Sequence, residues 1–189
     1  MDANKVKAVV LLADGFEEVE AITPVDLLRR AGIQVDVVGV SNRDVIGSHG
    51  IRLTTDITLD EMEDSKLPDV IILPGGMPGT TNLASDADVE HLLRRQAQDG
   101  RLIAAICAAP VLVLGAKGLL KGRRFTCFPG LESHPHDGKW EDARVVCDGS
   151  LITSRGPGSA AEFSIAIIRH FLGNQAAEDV RRTTQQLEF

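Results

Sequence analysis

The chain reads as an α/β protein built on a mostly parallel sheet, and three features of the sequence point there. Short apolar runs rich in Val and Ile recur along it, stretches of helical character separate them, and Gly or Pro marks most of the joints. A strand covered on both faces needs an unbroken apolar run rather than an alternating one, and parallel strands need a crossover between them.

The elements follow in order. Residues 6–12 (VKAVVLL) form the first buried strand. Residues 17–31 form a helix with acids at its front and Arg29 and Arg30 at its back, which complements the helix dipole, and Gly32 ends it. The second strand is 34–40 (QVDVVGV), and the Gly-punctuated stretch 41–58 reads as a hairpin or short excursion. Alternation resumes with 69–73 (DVIIL), a Pro-Gly-Gly turn, a helix over 87–98 and a strand over 102–106 (LIAAI) that runs straight into Cys107. A helix over 109–116, strand candidates at 124–127, 144–146 and 151–153, and closing helices at 159–172 and 174–187 complete the reading. No repeat, low-complexity tract or linker divides the 189 residues, so one domain over 1–189 is expected.

Composition excludes several classes. The net charge of −7 argues against a general nucleic-acid binder, which needs a basic face for phosphates. No stretch approaches the roughly 20 apolar residues that span a bilayer, and the first residues lack the pattern of a secretory signal. Cys107, Cys127 and Cys147 are widely spaced and odd in number, which fits neither a disulfide framework nor a metal knuckle and suits a reducing cytoplasm.

In an open parallel sheet, ligands bind beyond the carboxyl ends of the strands. Four turns should gather there, at 13–20, 74–79, 107–110 and 155–158. Cys107 lies between a buried strand and a helix, where backbone N–H groups and the helix dipole lower a thiol pKa from about 8.5. A lone cysteine is more often an inert core residue, and Cys127 and Cys147, within or beside strand patterns, are read that way. Glu17 and Glu18 read as acids that complement the dipole; Glu20, flanked by Val19, Ala21 and Ile22, can face inward and exchange a proton with the thiol. Gly75 and Gly76 let backbone approach a ligand, and with the N–H of Ala108 they can form an oxyanion hole. The turn lacks the ending of a phosphate loop. The five histidines form no HExxH-like pair, and His134 and His136 read as residues of a solvated loop, so no metal is assigned.

The segments ADGFEEVE (13–20), RRAGI (29–33), LPGG (73–76), IAAICAAP (103–110) and LITSRGPG (151–158) together resemble the ThiJ/PfpI superfamily, in particular its branch with the parkinsonism-associated deglycase and bacterial YajL. That resemblance implies a flavodoxin-like sandwich, a homodimer and no cofactor. It also implies a low-pKa, oxidation-prone nucleophile at Cys107, a hydrogen-bonded acid at Glu20, and oxyanion donors at Gly76 and Ala108. The implied chemistry is that of a glyoxalase III or protein deglycase acting on a small aldehyde such as methylglyoxal, or on a glycated substrate. The alternatives are a redox-sensing stress protein or chaperone in which Cys107 is oxidised to sulfinate, and a peptidase or amidase. Peptidases of the superfamily carry His directly after the nucleophile, whereas Ala108 stands there. Phe128 replaces the histidine of the vertebrate branch, which leaves Glu20 or water to move protons. His49 lies near the place where relatives put an arginine from the dimer partner, and it is not assigned to the site.

Overall fold

The computed structural model describes residues 3–63 and 66–186. Among these, seven strands form one sheet in the order β10-β11-β7-β6-β1-β2-β5. They are β1 (Lys7–Leu12), β2 (Gln34–Gly39), β5 (Ile57–Thr58), β6 (Val70–Leu73), β7 (Leu102–Ile106), β10 (Val145–Asp148) and β11 (Leu151–Ser154). Every pairing is parallel except β10 with β11, a hairpin at the edge. The mostly parallel α/β sandwich expected from the sequence is therefore the architecture observed.

Strand geometry explains the unbroken apolar runs. Successive side chains leave a strand on opposite faces, so Val10 and Leu12 join one core while Val9 and Leu11 join the other. Helices α1 (Glu18–Arg30) and α4 (Ala160–Thr183) supply Ala21, Leu28, Phe163 and Ile167 to the first core. Helix α3 (Ala87–Gln98) and the turn of π-helix at Pro110–Gly115 supply Val89, Leu93, Val111 and Leu114 to the second.

Several local details differ from the sequence expectation, each for an identifiable reason. The segment after Cys107 is a six-residue π-helix at Pro110–Gly115, not an α-helix over 109–116, so it adds little dipole at the thiol. The stretch 41–58 resolves into the antiparallel pair β3 (Asp44–Ile46) and β4 (Arg52–Thr54), followed by β5. A short helix α2 (Gly79–Ser85) lies where the sequence carries no apolar periodicity, and β8 (Arg124–Phe125) pairs in parallel with β9 (Lys139–Trp140). The two closing helices are segments of α4 broken at Gly173, whose φ of 82° and ψ of 178° are not helical. The last residue of the expected second segment, Leu187, lies outside the described residues. Among the described residues, no helix is long and apolar enough to cross a membrane.

Three loops at the carboxyl edge are tied together by backbone hydrogen bonds. Gly15 N–H donates to Ile46 O at 2.7 Å, Ser48 N–H to Phe16 O at 2.8 Å, and Glu17 N–H to Gly75 O at 2.9 Å. Gly76 sits at this junction with φ of 89°, and a Cβ there would collide with the backbone N of Glu17 and O of Gly15. Gly76→Ala is therefore predicted to lower stability by roughly 1–3 kcal/mol in urea unfolding. Gly50→Ala, at a similar φ of 83° but with open space around it, should lose less. Equal losses would show that the loop junction is not close-packed.

Candidate active site

The four sequence-predicted site residues converge at the carboxyl ends of β1, β6 and β7. Chain order steps outward from β1 to β2 on one side and returns at β6 on the other, which creates the crevice where parallel sheets bind ligands.

Cys107 follows β7 with φ of 65°, a left-handed conformation uncommon for any residue but glycine. Two hydrogen bonds hold it there: its N–H donates to Ser154 O at 2.9 Å, and its carbonyl accepts from Phe128 N–H at 2.8 Å. Ser154 is itself fixed by a buried contact with Ser159 Oγ at 2.7 Å and by donation to Arg144 O at 2.9 Å. The 155–158 turn, expected to line the site, thus positions Cys107 from behind through the serines on either side of it. A strained residue that projects its side chain from a strand end is the geometry of a nucleophile elbow.

Glu20 is fully buried. Its Oε2 accepts Gly75 N–H at 2.7 Å, while Oε1 has no nitrogen or oxygen partner. Gly75 has to be glycine, because a Cβ there would lie 2.7 Å from Glu20 Oε2 and 2.9 Å from Cys107 Sγ. Burial pushes the Glu20 pKa up to about 7, aided by the nearby Glu17 charge and opposed by Gly75 N–H and the thiol.

The thiol answers to the same proton. Burial and the Glu20 charge raise its pKa, while the N–H groups of Ala108 and Gly76 lower it. The depression expected from a strand-to-helix turn is thus outweighed, by burial first and by the Glu20 charge second. Each anion disfavours the other, so the carboxyl ionises as pH rises through about 7 while the thiol keeps its proton. Cys127 is buried, which pushes its pKa up to about 12. Cys147 is exposed on edge strand β10, contrary to a core reading.

The other two acids do more than complement the dipole. Glu17 is the N-cap of α1, and its carboxylate accepts Glu20 N–H at 2.7 Å. Glu18 is buried and turned toward the β3–β4 loop, two residues or about 200° around the helix from Glu20. There it accepts His49 N–H at 2.8 Å and meets His49 Nδ1 at 2.9 Å and Ser48 Oγ at 3.4 Å. Burial raises its pKa, but these bonds hold it down at about 2. The signal for this role was the acid pair itself, since adjacent helical residues cannot share one environment. Glu17, Glu18 and His49 place ligand atoms within 4.8 Å of one another, yet the carboxylates already serve the cap and the loop. His136 is a structural residue: its ring meets Phe125 edge-on at 4.7 Å, and its nitrogens contact Glu132 O and Gly138 N–H.

The two buried acids should leave opposite marks on stability. Glu20 has a folded value above the ordinary carboxyl value of about 4.3, so its contribution is present below that value and lost as pH rises through about 7. Glu18 has a folded value below it, so its stabilisation is present above about 4.3 and lost as pH falls toward about 2. Thermal unfolding from about pH 3 to about pH 8 should show Glu20→Gln gaining on the parent as pH rises, and Glu18→Gln losing to it. Parallel curves for both variants would contradict these environments.

Comparison with known proteins places the chain in a family. The chain is 37% identical over 175 residues to the glutathione-independent glyoxalase DJR-1.2 of Caenorhabditis elegans, covering 92% of each chain. It is 40% identical over 176 residues to protein DJ-1 homolog B of Arabidopsis thaliana, where 93% of this chain matches and it spans only 40% of the relative's length. In three dimensions it superposes on a DJ-1 superfamily protein from Salmonella typhimurium with a TM-score of 0.93 at 38% identity, covering 97% of this chain and 100% of the other. The DJ-1/PfpI family profile matches residues 6–170, and the chain belongs to that family.

Proposed function

We propose that the protein converts small reactive 2-oxoaldehydes to hydroxy acids without a cofactor, using Cys107 as nucleophile and Glu20 as acid–base group. The observation that carries this reading is the contact set of the sulfur, which has Glu20 on one side and the N–H groups of Gly76 and Ala108 on the other. The glyoxalase name of the nematode relative supports it.

The steps balance without redox partners. Cys107 passes its proton to the Glu20 carboxylate and adds as a thiolate to the aldehyde carbon, forming a C–S bond while the carbonyl electron pair moves to oxygen, where the two N–H groups receive it. Glu20 supplies its proton to that oxygen. The resulting carboxylate takes the proton from the carbon bonded to sulfur, leaving an enediolate. The hydroxyl proton passes to the neighbouring, former ketone oxygen, and Glu20 returns the carbon-derived proton to the former ketone carbon. This internal transfer gives a thioester of the hydroxy acid. Water cleaves the C–S bond, releases lactate from methylglyoxal and restores the thiol. Glycated adducts, which carry the same carbonyl-derived carbon, are the second substrate class.

A redox role draws on the same contacts. A sulfinate formed on Cys107 by a peroxide would place its oxygens against the N–H groups of Gly76 and Ala108 and a protonated Glu20. Peptide or amide hydrolysis is disfavoured, because Ala108 offers no base beside the nucleophile. We assign the protein to the cytoplasm on its free thiols, and to a homodimer on an apolar patch. Val19 and Ile22 on one face of α1 are exposed, as is Ile51, whose N–H reaches Glu18 at 3.4 Å.

Purified reduced protein should form lactate from methylglyoxal with no thiol added. Cys107→Ser should abolish this with the fold intact, and Glu20→Gln should cost on the order of 10²–10⁴ in rate. Equal modest losses in Glu17→Gln, Glu18→Gln and Glu20→Gln would overturn the role of Glu20. Light scattering at micromolar concentration should return a dimer; a species of 20.3 kDa would refute the homodimer.

A further inference from the structure

The turns on either side of Cys107 each carry a large apolar side chain left in solvent. Met77, directly after Gly76, is 54% exposed, and Phe128 is 45% exposed. Both turns are bound to the nucleophile's own backbone or sulfur. Gly76 N–H contacts the thiol, and Phe128 N–H donates to Cys107 O at 2.8 Å. The Phe128 ring lies over Gly156 of the third turn, where an added Cβ would come within 3.4 Å of ring carbon Cδ2. That is ordinary contact distance, so the ring rests against this turn. Neither apolar group is used by the chemistry proposed above, and about half of each remains exposed.

Resting on that carbonyl reading, we propose that Met77 and Phe128 form an apolar mouth that selects the substituent on the substrate's ketone carbon. The mouth favours alkyl- or aryl-substituted 2-oxoaldehydes over unsubstituted glyoxal and over hydroxyl-rich, sugar-derived carbonyls. An aldehyde bound to Cys107 must leave its far end at this opening, and an apolar end there removes exposed surface from both sides. A hydroxylated end would lose hydrogen bonds to water with no partner on these two side chains. Differences of this kind in an apolar pocket are worth about 10- to 200-fold in specificity.

Alkylation of Cys107 tests the mouth without requiring turnover. Iodoacetamide and iodoacetanilide react by the same displacement of iodide and differ by one phenyl ring. The ratio of their rates at Cys107, read by mass spectrometry, should exceed the ratio at glutathione by about tenfold. It should fall toward the glutathione value in Phe128→Ala and Met77→Ala, and stay high in Phe128→Leu. Because both reagents meet the same thiol, a change in its nucleophilicity cancels from this ratio. In turnover, the kcat/KM ratio of phenylglyoxal to glyoxal should drop about tenfold in Phe128→Ala, mainly through KM. An alkylation ratio equal to that of glutathione in the parent, or unmoved in both alanine variants, would overturn the proposal. A protein that shows the alkylation preference but turns over no 2-oxoaldehyde would refute the carbonyl reading while keeping the mouth.

Discussion

The contact between Gly75 N–H and the buried Glu20 carboxyl governs the arrangement of the site. A carboxyl group removed from water is tolerable only if its oxygens find donors or it keeps its proton. Glu20 does both in part: one oxygen takes the Gly75 N–H at 2.7 Å, and burial raises the pKa so that a proton stays within reach at neutral pH. The contact needs the 74–79 turn pressed against α1, which requires residues 75 and 76 to lack side chains. It also needs the first turn of α1 fixed, which the Glu17 cap provides. With these in place, the left-handed backbone at Cys107 brings the sulfur to the same point.

Three acids within four residues of α1 consequently do three different jobs. Glu17 caps the helix, Glu18 fastens the β3–β4 loop through His49, and Glu20 faces the thiol. The difference arises from direction around the helix and from what each carboxylate meets, not from residue type. Burial drives Glu20 up, whereas Glu18, also buried, is driven down because four donors converge on it.

Much of this was legible in the sequence. The unbroken runs at 6–12, 69–73 and 102–106 announce strands covered on both faces, and their order places the turns bearing Glu20, Gly75 and Cys107 on one edge. Cys107 stood out because it ends such a run, and Glu20 because its neighbours are apolar. What could not be read depends on contacts far apart in the chain. Glu18 and His49 lie 31 residues apart, and nothing local signals that they meet. Ser154 reaches across from the adjacent strand to hold Cys107, and the exposure of Cys147 follows from β10 being an edge strand. The thiol's pKa was misjudged for a related reason: burial and the charge of Glu20 count for more than the short helix that follows.

The central claim is that Cys107 and Glu20 titrate as one coupled pair, with the Glu20 charge holding the thiol's titration up. Ultraviolet thiolate absorbance against pH, taken for the parent protein and for Glu20→Gln, each against its Cys107→Ser counterpart, measures this directly. A Cys107 thiolate signal that rises at lower pH in Glu20→Gln than in the parent is the predicted result. The same onset in both proteins would show that the carboxyl does not act on the thiol, and would contradict the account.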